Sequence, residues 1–220
     1  MFRACRIELF RRVVDDRKLQ GVILAHHADD QAETVLHRLT RLAPPTGLSG
    51  MAARSTVRGL TILRPLLSVW RDALRQVLVD RGQPHREDAS NASDDYLRNR
   101  LRKWLADKPA VVESLLELSR SCHDLREWIH GQSPTLDTTF RTRALCDLPL
   151  LLARDAARRW LVAQGSPADE MSSAVLDRLL SMCSDASTPA RVQFPGGLTV
   201  RRRRGVVERV GDATMPTEGT

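Results

Sequence analysis

Between Ala25 and Thr34 the chain reads Ala-His-His-Ala-Asp-Asp-Gln-Ala-Glu-Thr, a short stretch with two imidazoles and three carboxylates. If a helical turn includes His26, then His26, Asp30 and Glu33 stand at i, i+4 and i+7 and share one face. Carboxylates so placed can hold a divalent cation or receive an ammonium group, and an imidazole can donate to a phosphate or move a proton. The plain alternative is an acid-rich helix start, favoured by the helix dipole and solvated.

A second concentration is Glu87-Asp88-Ala89-Ser90-Asn91, followed by Tyr96-Leu97-Arg98-Asn99-Arg100-Leu101-Arg102. Arginines at 98, 100 and 102 of a helix cover more than one face, so some can point at a ligand while others stay in water. Guanidinium forks match a carboxylate, a phosphate or an RNA backbone; an ordinary basic helix is the alternative. Arg64, in Arg64-Pro65-Leu66-Leu67, ends an apolar run and could reach the same crevice or pair with a surface acid.

The elements that must position these groups are legible in the apolar spacing. Phe2, Cys5, Leu9 and Val13 recur at near-helical intervals over residues 2–18. Val22-Ile23-Leu24-Ala25 reads as a short buried strand, and residues 29–41 as a helix with Ala32, Val35, Leu36 and Leu39 inward. Pro44, Pro45, Gly47 and Gly50 make residues 42–51 a loop. A strand over 60–63, a helix over 69–81 and a helix running through Trp104 follow. Helix, strand, turn and helix in this order predict an α/β layer, in which ligands sit at the carboxyl ends of strands, where the histidine pair falls. Beyond Lys108-Pro109 the pattern is helical to about Gly131, then over about 148–164 and 172–183. Residues 192–200 read as a hairpin around Pro195-Gly196-Gly197. Residues 211–220 have the composition of a disordered tail.

Composition narrows the class. The 220 residues carry a formal net charge of +7, which favours polyanionic partners, nucleic acid foremost; an arginine-rich proteome would give the same skew. No apolar run is long enough for a membrane span, and residues 1–20 are too charged for a secretory signal. Cys5, Cys122, Cys146 and Cys183 form no Cys-x-x-Cys pair, and they read as reduced, mostly buried thiols of a cytoplasmic protein.

Five blocks carry a family resemblance: residues 25–34, Gly47-Leu48-Ser49-Gly50-Met51, Arg64-Pro65-Leu66-Leu67, Glu87-Asp88 with Ser90-Asn91, and Arg98-Asn99-Arg100-Leu101-Arg102. Their order and spacing resemble the tRNA(Ile)-lysidine synthases of the PP-loop ATP pyrophosphatase superfamily. The likeness continues more diffusely to Phe194-Pro195-Gly196-Gly197-Leu198.

The resemblance implies ATP-dependent attachment of L-lysine to the wobble cytidine of a tRNA(Ile) anticodon, through an adenylated base, with ATP and Mg²⁺. It implies catalytic roles for His26, Asp30, Glu33 and Arg98. Asp30 and Glu33 would receive the lysine amino group, Arg98 its carboxylate or the adenylate, and His26 would stand beside the activated base. Asp29, Arg64, Asn99 and Arg102 would bind substrate; no protein-held metal is implied. Beside the predicted hairpin, the run Arg201 to Arg204 supplies phosphate-binding charge, with Arg201 and Arg203 on one face to meet the tRNA; the alternative is a solubilising edge that discourages sheet pairing. A homodimer and a cytoplasmic location are part of the same expectation. The implied layout is the C-terminal part of a PP-loop domain over 1–108, a mainly helical tRNA-binding domain ending in a β-hairpin over 109–210, and the tail. The superfamily's Ser-Gly-Gly-x-Asp-Ser phosphate loop does not occur in the 220 residues, where the one Gly-Gly is Gly196-Gly197. The expectation is therefore that the segment carrying that loop is missing. A tRNA-binding fragment without catalysis and another PP-loop enzyme are the alternative readings.

Overall fold

A computed structural model describes residues 2–84 and 96–210. The acidic cluster at 87–91 and the tail from 211 lie outside the described residues. Compact contacts divide the chain into residues 1–126 and 127–220. The expected boundary at 108/109 coincides with the start of a long helix, Pro109–Gln132, which runs across that division.

The first unit opens with α1 (Phe2–Asp16), β1 (Val22–Ile23) and α2 (Ala28–Leu39). A hairpin of β2 (Arg54–Val57) and β3 (Leu60–Leu63), then α3 (Arg71–Asp80), α4 (Leu97–Leu105) and α5 (Pro109–Gln132) complete it, with α5 continuing into the second unit. The sheet order is β1-β3-β2. β1 and β3 are parallel, Val22 opposite Ile62, whereas β2 is antiparallel to β3, Ser55 opposite Ile62. The α/β class holds, but the layer is mixed where the pattern predicts a parallel one. β2 escapes sequence reading because Arg-Ser-Thr-Val has little apolar alternation; its register is set by the Arg58-Gly59 turn. Both residues have positive φ, 50° and 81°, as a two-residue hairpin turn requires. The core of this unit joins Ala32 and Val35 of α2 to Leu105 of α4 and Val112 and Leu115 of α5. The inward stripe predicted for α2 is thus the surface on which α4 is seated.

The second unit contains β4 (Thr139–Arg141), the short α6 (Arg143–Cys146), α7 (Leu150–Ala163), α8 (Ser173–Ser184), β5 (Arg191–Gln193), β6 (Thr199–Arg203) and β7 (Val206–Arg209). The expected hairpin is the β5–β6 half of a four-stranded antiparallel sheet ordered β4-β7-β6-β5. The Arg204-Gly205 turn, φ 50° and 73°, folds β7 back onto β6. Phe140 and Trp160 meet edge to face at 5.1 Å among Leu161, Leu179, Met182, Val200 and Val207, which are all but excluded from water. All four cysteines are free thiols; Cys122 and Cys183 are buried, Cys5 and Cys146 exposed.

Candidate functional site

The site grows from the first turn of α2. His27 precedes the helix in extended conformation, and its backbone N–H donates to Asp30 Oδ2 at 3.1 Å. His26 therefore lies before the helix, not on its face, because the chain leaving β1 stays extended until Ala28. It reaches the same cavity as Glu33 by its position at the strand's end.

Asp30 and Glu33 are both buried, and neither is vacant. Arg98 Nη2 donates to Asp30 Oδ1 at 2.9 Å and Arg98 Nε to Glu33 Oε2 at 2.8 Å. Arg102 Nε donates to Glu33 Oε1 at 2.6 Å. Arg98 and Arg102 stand one turn apart on α4, so one helix face delivers both guanidinium groups to one face of α2. The two sequence clusters, more than 60 residues apart, form one charge network. The expected ammonium receptors are ion-pair partners of arginine here, which the apolar pattern could not disclose. Glu33 holds Arg102 firmly in its charged form. Arg98 keeps nearly half of its side chain in water and is the member able to reach a ligand.

Two cavities flank Glu33. The larger, about 310 Å³, is bounded by α1, α2 and the sheet; Arg64, Arg98 and Arg6 bring positive charge to it, and His26 is in its wall. Burial holds the His26 imidazole below its ordinary value; Asp30 works the other way, and Arg64, Arg98 and Arg6 reinforce the lowering. His26 Nδ1 is buried without a hydrogen bond among the described residues. Arg64 is buried at the end of β3, where Nη1 donates to the Ala52 carbonyl and to Ser55 Oγ, both at 2.9 Å, and it lines the crevice.

The smaller cavity, about 140 Å³, has Asp29, Glu33, Trp70, Arg71, Arg102 and Leu105 in its wall. Asp29 accepts from the Arg71 backbone N–H at 2.9 Å, which fixes the start of α3 beside the start of α2. The neighbouring His27 imidazole, then that N–H, hold the Asp29 carboxyl at about 2. Asn99 is buried on α4.

Sequence reasoning assigned no role to Gln31 or Arg38, which hold the block at 47–51 in place. Gln31 pairs with the Met51 backbone through both amide atoms, at 2.8 and 3.1 Å, and Arg38 Nη1 donates to the carbonyls of Gly47 and Gly50. Trp70 and Arg71 were missed as well; an aromatic before a helix carries no signal until the cavity is seen.

In the second unit, β6 alternates Val200 inward with Arg201 and Arg203 outward. Arg201 is hydrogen-bonded to Glu208 Oε1 on β7 through Nε and Nη2, at 3.0 and 2.6 Å. Arg203 is exposed on the same face, as are Arg141 and Arg191. Arg202 turns the other way and donates to four carbonyls at the end of α8, Met182, Asp185, Ala186 and Thr188, where a cation complements the helix dipole.

Residues 1–108 match the PP-loop domain family, and residues 141–207 match the TilS substrate binding domain. The chain is 37% identical over 137 residues to a tRNA(Ile)-lysidine synthase of Chlamydia muridarum (strain MoPn / Nigg), covering 60% of this chain and 43% of that protein. It is 30% identical over 216 residues to one from Solibacter usitatus (strain Ellin6076), covering 91% of this chain and 48% of that protein. With one from Rhodopirellula baltica (strain DSM 10527 / NCIMB 13988 / SH1) it shares 38% over 133 residues, 58% of this chain and 34% of that protein. The chain spans about half the length, or less, of these relatives. The family match starts at residue 1, so the expectation of a missing N-terminal segment gains no support from it.

Proposed function

We propose that this protein, whose residues 1–108 match the PP-loop domain family and whose residues 141–207 match the TilS substrate binding domain, acts as a tRNA(Ile)-lysidine synthase, using ATP to join L-lysine to the wobble cytidine of a tRNA(Ile) anticodon. The observation that carries the reading is the meeting of both charge signs around one cavity: Glu33 from α2, Arg98 from α4, Arg64 just after β3 and His26 line it, and Arg98 Nη2 ties Asp30 to it at 2.9 Å. A zwitterionic amino acid and a phosphoryl group need such a mixture, held in place before they arrive.

In this reading Arg98, half in water, turns toward the lysine carboxylate or the adenylate phosphate, and Asp30 then faces the amino group. The amine nitrogen forms its bond to the activated base carbon while AMP departs with the bond it held. The proton shed by the nitrogen passes to His26, whose lowered affinity for protons keeps it neutral and ready at pH 7. Arg64, anchored by Ala52 and Ser55, holds positive charge beside it. Asp29 and Asn99 shape the site at second remove.

ATP supplies the leaving group, and the positive charge of Arg6, Arg64 and Arg98 fits its phosphate chemistry. No residue of this chain is assigned to the phosphates by the Ser-Gly-Gly-x-Asp-Ser motif, which the 220 residues do not contain. The donors do not fit a protein-held Mg²⁺. Asp30 and Glu33 are filled by guanidinium nitrogens, and no group of three or more His, Cys, Asp or Glu among the described residues could hold a metal ion. Mg²⁺ carried chiefly by phosphate oxygens agrees with that.

The outer face of the β4-β7-β6-β5 sheet, with Arg203, Arg141 and Arg191 exposed, is the surface we assign to the tRNA backbone. No helix among the described residues is long and apolar enough to cross a membrane; a cytoplasmic place of action and a homodimer complete the proposal. The test is incorporation of labelled lysine into a tRNA(Ile) transcript by the chain with ATP and Mg²⁺, against a transcript with uridine at the wobble position. Incorporation that ignores the wobble base, or no incorporation with either RNA, would overturn the reading.

A further inference from the structure

α4 has a second face. Its inner side carries Arg98, Arg102 and Leu105 into the network and core of the first unit. On the other side Arg100 and Trp104 stand one turn apart, and Tyr96, the extended residue at which the helix starts, precedes Arg100 by four positions. All three are exposed, Tyr96 at 59% and Trp104 at 49%. Lys108 continues the stripe: its Nζ lies 5.0 Å from the centre of the Trp104 ring and donates to the Trp104 carbonyl at 2.9 Å. Aromatic, cation, aromatic, cation is therefore the order along one exposed edge. Two large rings left in water are unfavourable for a fold that could have turned them inward. With Lys108 over one ring face, the indole is held in place while water reaches the rest of it.

We propose that this stripe binds unpaired RNA, with bases stacking on Tyr96 and Trp104 and phosphates meeting Arg100 and Lys108. Exposed rings spaced by cations suit single strands, because every base offers a π face and every linkage a negative charge. Charge decides for RNA over a protein partner: apart from Arg98 and Arg102, which face Glu33, residues 97–108 carry Arg100, Lys103 and Lys108 against Asp107 alone, which pairs with Lys108. The inference rests on the reading of the chain as a tRNA-modifying enzyme and deepens it. The same short helix that places Arg98 at the cavity would hold the splayed anticodon loop beside it, so that entry of one base follows from docking of its neighbours.

The test measures binding of the whole chain to a tRNA(Ile) transcript, a short uridine oligonucleotide and an RNA duplex, with Trp104→Leu, Arg100→Ala and, as control, Trp128→Leu, an exposed tryptophan of α5. Trp104→Leu should weaken tRNA and oligonucleotide binding about tenfold or more without changing the salt slope, since a stacking surface is removed while every phosphate keeps its cation. Arg100→Ala should weaken binding and lower the salt slope by about 1. Duplex binding and the Trp128→Leu variant should stay at the parent level. Parent-level affinity of Trp104→Leu and Arg100→Ala for tRNA, or equal weakening on the duplex, would remove the stripe and leave the ligase reading standing. A parent chain that binds none of the RNAs would overturn both.

Discussion

Arg102 grips both oxygens of the Glu33 carboxylate, Nε to Oε1 at 2.6 Å and Nη2 to Oε2 at 3.2 Å. The Glu33 side chain is only 2% exposed, and Arg98 approaches the same carboxylate from the next turn of α4. One buried acid thus bridges two cations that would otherwise repel each other across a single helical turn, and Asp30 supplies the second negative charge. The seat of α4 on α2, and with it the direction of Arg98, depends on that acid.

Replacing Glu33 by Gln should destabilise the first unit by about 3 kcal/mol, because removing one partner leaves the others desolvated and unpaired. Arg102→Met should have a smaller effect, since Arg98 still serves Glu33. Urea denaturation followed by tryptophan fluorescence measures both. A Glu33→Gln destabilisation below about 0.5 kcal/mol would mean that water already screens the network.

Asp30 is closer to water than Glu33, and of its two guanidinium neighbours only Arg98 is in hydrogen-bond contact, Arg102 standing at 3.6 Å. Asp30→Asn should therefore perturb stability less and lysine affinity more, by roughly thirtyfold if the ionic interaction it removes is worth ~2 kcal/mol. Equilibrium dialysis with labelled lysine reads the effect. Unchanged lysine affinity in both Asp30→Asn and Glu33→Gln would confine these acids to holding the arginines.

Lysine transfer should keep its neutral base to acidities below pH 6.5, the ordinary histidine value, because burial and the surrounding arginines oppose protonation of His26. Between 6.5 and the lowered folded value the unfolded chain binds more protons than the folded one. The stability linked to this residue is thus complete above 6.5 and falls as the pH drops below it. Arg98→Met should shift the acid limb upward, and histidine resonances followed by NMR should report the same shift. An acid limb that stays in place would separate His26 from the proton transfer.

On the outer sheet face Arg201 is already engaged by Glu208, while Arg203 is exposed. Arg203→Ala should weaken tRNA binding more than Arg201→Ala, and the double variant should flatten the salt dependence by ~1 for each phosphate left without its arginine. Glu208→Gln should tighten binding by releasing Arg201. Identical salt slopes in parent and double variant would remove this face from the RNA interface.

How much was legible beforehand varied with the range of the interaction involved. α2, β3 and α5 stand within a few residues of where the apolar spacing puts them, because each is specified by a face that its own sequence repeats. The strand–turn–helix placement of His26, Asp30 and Glu33 was local in the same sense. β2 and β7 were not legible. Each is defined by a partner strand and an Arg-Gly turn, and Arg is a weaker turn signal than the Asn or Asp usual before such a glycine.

The sequence alone determined which residues could do chemistry and which elements would carry them, since residue type and helical or strand period act over a few neighbours. Tertiary structure decided what those residues do to one another. It committed Glu33 to Arg98 and Arg102, buried His26 beside arginines so that its affinity for protons falls, and turned Arg202 to the end of α8 while leaving Arg203 in water. The reason is physical: charge pairing and desolvation depend on distances between segments far apart in the chain, and those distances exist only once the cores have closed.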